Sequence, residues 1–114
     1  MPGSTIQDSK KPQPAIDGER SSQALQFEYK TYPNPFNSMA FVEFRSPVAS
    51  LVTIEIFNSQ GKKEKVLFNS MVMPGQQYKL KFEAGTLYPG SYYCIIRNND
   101  KLYTSKLIYM YSSR

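Results

Sequence analysis

The stretch Tyr78-Lys79-Leu80-Lys81-Phe82 decides how the chain is read, because its apolar and charged residues alternate strictly. Successive side chains of a β-strand point to opposite faces. The pattern therefore predicts a strand with Tyr78, Leu80 and Phe82 buried and both lysines in water. The same period of two recurs toward both ends. Leu25, Phe27 and Tyr29 alternate with Gln26, Glu28 and Lys30, and Ala40, Val42 and Phe44 with Phe41, Glu43 and Arg45. Val52, Ile54 and Ile56 alternate with Thr53, Glu55 and Phe57, and Tyr92, Cys94 and Ile96 with Tyr93, Ile95 and Arg97. Leu102–Met110 supplies a last strand and Lys63–Phe68 a weaker one. Turn chemistry separates these runs at Tyr32-Pro33-Asn34-Pro35-Phe36-Asn37, Asn58-Ser59-Gln60-Gly61, Met73-Pro74-Gly75, Tyr88-Pro89-Gly90 and Asn98-Asn99-Asp100. No window carries a helical period. The expectation is an all-β fold, a seven-stranded antiparallel immunoglobulin-like β-sandwich. The chain contains no Trp, so the Cys–Trp–Cys hallmark of true immunoglobulin domains is absent.

With 114 residues, 40% of them hydrophobic and 20% charged, the chain suits one folded core and not two. Composition shifts near residue 24. Residues 1–23 carry three prolines and no aromatic side chain, whereas every Phe and Tyr lies beyond them. Such a stretch buries too little apolar surface to offset the entropy of ordering it, so residues 1–23 are read as a flexible, disordered linker or tail. Residues 24–114 are read as the folded domain. The first 23 residues contain no apolar core of a secretory signal peptide, which leaves a cytosolic chain or a piece of a longer precursor. The net charge of +5 sits wholly in residues 24–114. Apart from Lys62, Lys63 and Lys65 the basic residues are dispersed, and no nucleic-acid-binding module accompanies them. A solvated basic surface is the simplest account.

The chain has no His and one Cys, which excludes disulfide frameworks, thiolate zinc sites and His-based acid–base chemistry. Glu43 and Glu55, expected on neighbouring strands, are the only carboxylate pair worth weighing for glycosidase-like chemistry, and solvated faces explain them better. Cys94 falls on a buried alternation without a His partner and reads as a core residue. The six glycines are scattered and form no phosphate-binding loop. The chain is accordingly expected not to be an enzyme and to need no cofactor or metal. Phe27, Phe44, Phe57, Tyr78, Phe82 and Tyr92 are expected in the core, while Tyr93, Tyr103, Tyr109 and Tyr111 are expected to be partly exposed.

Four elements follow one another in a set order: Tyr32-Pro33-Asn34-Pro35-Phe36, then Ile54–Lys62 with its turn at Gly61, then Leu87-Tyr88-Pro89-Gly90-Ser91-Tyr92, and finally Thr104-Ser105-Lys106-Leu107-Ile108-Tyr109-Met110. This order resembles the type A C-terminal sorting domain of the bacterial type IX secretion system, from about Tyr29 to the C-terminus. Ser91 replaces a small apolar residue usual in that family, and Tyr111–Arg114 extend slightly past its usual end. The resemblance implies a non-catalytic address. It is read in the periplasm by the outer-membrane translocon and shuttle, and usually removed by a sortase as the cargo reaches the outer membrane or cell surface or is secreted. It would place recognition on Lys106, Leu107, Ile108, Tyr109 and Met110, by strand addition or surface docking. Pro33, Asn34, Pro35, Phe36, Gly61, Gly90 and Tyr92 would be mainly structural, and sortase cleavage would fall within Glu19, Arg20, Ser21, Ser22, Gln23 and Ala24. The competing expectation is an immunoglobulin-like adhesion module binding carbohydrate or protein, as in surface or flagellar hook-capping proteins.

Overall fold

The computed structural model describes residues 26–111. The expected boundary at residue 24, Leu25 and the cleavage region Glu19–Ala24 lie outside the described residues. Seven antiparallel strands follow in order: β1 (Glu28–Tyr32), β2 (Met39–Arg45), β3 (Ser50–Asn58), β4 (Lys63–Val72), β5 (Gln77–Glu83), β6 (Gly90–Asn98) and β7 (Lys101–Tyr109). They form a three-stranded sheet, β1-β2-β5, and a four-stranded sheet, β4-β3-β6-β7. There is no helix among the described residues. This is the expected sandwich, with each sheet contributing one apolar face.

The alternation read from sequence sets the faces. Ala40, Val42, Phe44 and Phe82 of the first sheet bury against Val52, Ile54, Ile56, Tyr92, Cys94, Ile96, Leu107 and Tyr109 of the second. Phe57 departs from expectation. It shares the register of Thr53 and Glu55, stands on the outer face, and is only half-buried. Tyr109 departs the other way and is 6% exposed, because it stacks on Phe36 with ring centroids 5.3 Å apart. β4 runs four residues past Phe68, since β3 offers it a continuous ladder out to Ser50↔Val72 despite the weak strand formers Asn69 and Ser70.

The antiparallel order gives the sandwich two poles. At one pole the polar groups of Ser46, Ser50 and Asn98 are buried but paired: Ser50 Oγ donates to Asn98 Oδ1 at 2.7 Å and Ser46 Oγ to Val48 O at 2.7 Å. Asn99, in the turn between β6 and β7 there, takes φ 59, a left-handed conformation that Asn tolerates. At the opposite pole Phe36, 2% exposed, closes the end of the core against Phe82 and Tyr109.

Candidate recognition site

All four sequence elements singled out above meet at this second pole. The chain leaves β1 through Pro33–Pro35, whose X–Pro bonds are both cis, and crosses from the first sheet to the second. There Phe36 forms a parallel bridge with Tyr109. Phe36 N donates to Ile108 O and Met110 N donates to Phe36 O, both at 2.9 Å. One step earlier the Asn34 side chain continues the ladder in place of a backbone. Its Nδ2 donates to Lys106 O at 2.9 Å, and its Oδ1 accepts from Ile108 N at 2.9 Å. Asn is suited to this because its amide presents a donor and an acceptor with the spacing of a peptide group.

The β3–β4 turn lies at the same pole. Asn58 Oδ1 accepts from Gln60 N and Lys62 N, Asn58 Nδ2 donates to Glu64, and Gly61 takes φ 86, where a side chain would be strained. Beside it, Tyr92 is buried and its hydroxyl donates to Tyr88 O at 2.5 Å. A Tyr at the start of this strand bonding back to the preceding turn is the tyrosine corner of immunoglobulin-like sandwiches. Gly90 opens β6 just ahead of it.

The five candidate residues at the end of the chain divide by face. Leu107 and Tyr109 are core residues, whereas Lys106 and Met110 are exposed and Ile108 is half-buried. Only Lys106, Ile108 and Met110 present side chains that a partner could meet. From Lys106 O to Met110 N the outward backbone groups of this stretch are already taken by Asn34 and Phe36, which corrects the expectation that Lys106–Met110 offers a free run of donors and acceptors for strand addition. The sequence carries no local sign of this pairing, because the partners are separated by 72–74 residues.

The two outer faces differ electrically. On the first sheet charges are matched: Arg45 meets Glu28 at 3.4 Å, Lys81 meets Glu83 at 3.3 Å, and Lys79 lies over the Phe41 ring at 4.5 Å. Tyr32 donates to Glu43 there, which holds the Glu43 carboxyl below its ordinary range and pushes the Tyr32 phenol up. On the second sheet Glu55 is matched by Lys63 at 3.1 Å. Arg97 and Lys106 have no ion-pair partner among the described residues. Glu43 and Glu55, expected on neighbouring strands, belong to different sheets and face away from each other on opposite sides of the sandwich. Cys94 is fully buried, and burial pushes its thiol up to about 12.

The protein-family model described as "Secretion system C-terminal sorting domain" matches residues 30–110. The chain belongs to this family of type IX secretion sorting domains. The sorting domain therefore sits in a family of secretion signals and not in a catalytic one. A search of the curated proteins gave no match. Among solved structures, the sorting domain is similar to dimeric latent PorU from Porphyromonas gingivalis, with a TM-score of 0.51 and 17% identity. The likeness covers 75% of this chain and 9% of that one, and it supports the fold alone.

Proposed function

We propose that the domain is the address by which a passenger joined ahead of it passes through the type IX outer-membrane translocon. The shuttle and translocon read the exposed Lys106 and Met110 and the half-buried Ile108. Leu107 and Tyr109, both buried, act by holding that strand in place, as do Pro33, Asn34, Pro35 and Phe36. Gly61, Gly90 and Tyr92 shape the same pole. A sortase removes the domain within Glu19–Ala24, and the passenger moves from the periplasm to the outer membrane and cell surface. The observation that carries this reading is the family match over residues 30–110, whose motif elements converge on one pole with the end of β7.

The test fuses the chain to a reporter carrying an N-terminal signal, in a bacterium with a type IX system. The wild-type chain is expected at the cell surface. Lys106→Ala removes an exposed charge and should change stability by no more than about 0.5 kcal/mol, so reporter accumulating in the periplasm would report lost recognition. Normal export of that variant would remove Lys106 from the recognition surface.

A further inference from the structure

The pairing of Asn34 and Phe36 shows which half of the last strand is still open. Ile108 points both its N–H and its C=O away from β6, toward Asn34 and Phe36. In an antiparallel ladder alternate residues share this orientation, so the backbone groups of Leu102 and Thr104, and the N–H of Lys106, face the same edge. No strand pairs with them among the described residues. The opposite edge of this sheet is guarded differently. Lys65 of β4 turns inward, donating to Glu83 O at 2.6 Å and lying over the Phe82 ring at 5.6 Å, and an inward charge is a usual defence of an edge. From Leu102 to Lys106 the inward residues of β7 are Tyr103 and Ser105, neither of them charged, and there is no proline; Lys101 shares their register but lies beyond this stretch.

The surroundings of this edge define its partner. Leu102 is 53% exposed and faces outward beside Thr104 and Lys106, with Arg97, Ile95 and Tyr93 paired to them on β6. Lys101 flanks the far end. On the inner side Tyr103 stacks with Phe27 at 5.0 Å and packs at a tilt against Tyr29 at 5.3 Å, giving an aromatic wall between the sheets. A second copy pairing edge to edge would bring Lys101 and Lys106 of each copy to one seam, where like charges repel. A lipid surface would satisfy the outer-face cations but not the edge donors and acceptors. We infer that Leu102–Lys106 is a docking edge for an extended acidic segment of a partner protein. The segment pairs its backbone with Leu102 and Thr104, and carries carboxylates on the outer face toward Arg97 and Lys106 and apolar residues on the inner face toward Tyr103. This rests on the sorting reading for its biological setting but not for its chemistry.

The test uses the 114-residue chain and a blocked, fluorescein-labelled heptapeptide alternating Glu with Val, against the same peptide with Lys for Glu. Saturable binding is expected for the acidic peptide alone, with amide exchange slowed at Leu102 and Thr104 and unchanged at Ile108, which Asn34 already holds. Thr104→Pro deletes an outward N–H at an edge, where proline is tolerated, and should weaken binding at least about tenfold while the thermal transition persists. The double substitution Arg97→Gln with Lys106→Gln, which touches no backbone, should weaken it comparably if the proline variant fails to fold. The inference is overturned if neither peptide binds, if protection appears away from Leu102 and Thr104, or if both peptides bind alike. It is also overturned if phosphatidylglycerol vesicles bind and leave the Thr104 amide unprotected. Failure of the wild-type chain to export a reporter would sink the sorting reading instead. Normal export by a folded Thr104→Pro chain would leave sorting intact and overturn use of this edge in it.

Discussion

Asn34→Ala measures how firmly the last strand is held. The substitution removes two hydrogen bonds of 2.9 Å, one to Lys106 O and one from Ile108 N, and leaves the Phe36 pair in place. A neutral hydrogen bond contributes about 0.5–1.5 kcal/mol net, and here water can reach the released groups, so the combined loss should be about 1–2 kcal/mol. For a domain of this size that lowers Tm by about 5–15 °C. Amide exchange gives the residue-level reading: Ile108 should lose protection, while Met110, whose N–H goes to Phe36 O, should keep most of its own. Asn34→Asp refines the result, because at neutral pH it keeps the acceptor for Ile108 but has no donor for Lys106 O. Its loss should be intermediate, with Ile108 still protected. A loss under about 0.3 kcal/mol with unchanged exchange at Ile108 would mean that the side-chain ladder does not hold the strand.

Phe36→Ala empties the closed pole of a side chain only 2% exposed, and should cost about 3–5 kcal/mol in denaturant unfolding. A loss below about 1 kcal/mol would contradict its packing on Phe82 and Tyr109. Tyr92→Phe removes only the hydroxyl bonded to Tyr88 O and should cost about 1 kcal/mol, with the spectrum of the folded state unchanged. Cys94 should resist alkylation until the chain unfolds. Its thiol ionises near 9.0 when unfolded but is held to about 12 in the fold, so the stability linked to it is complete below pH 9 and is lost as pH rises toward 12. Cys94→Ala should flatten that alkaline limb without removing it, since burial also raises the Tyr92 phenol. An identical limb in the variant would show that Cys94 plays no part.

The inner faces of β2, β3 and β6 were legible in the sequence because each alternates over at least five residues between turns of recognisable chemistry. Side chains whose fate depends on distant partners were less so. Tyr109 looks like any strand-end tyrosine until Phe36 stacks on it. Phe57 looks like core until the register of β3 places it outside. Asn34 reads locally as a turn residue between two prolines, and nothing near it announces that its amide will stand in for a peptide group of a ladder. The separation of Glu43 from Glu55 follows from strand order, which alternation does not encode. The division of Lys106–Met110 into faces could be read, but which face is core could not, because both carry apolar residues.

The parallel stitch between Asn34–Phe36 and the end of β7 has a mechanical consequence. The two strands run in the same direction, so tension applied through the chain ahead of β1 and through the chain after β7 pulls them past one another. Four hydrogen bonds of 2.9 Å then lie across the direction of load and share it, instead of opening one by one as in an unzipped hairpin. A passenger hauled from one side while the final strand is gripped from the other would load this short joint in series with the β1–β2 ladder. Within that path the joint acts as a clasp, held shut by one asparagine side chain and one phenylalanine backbone.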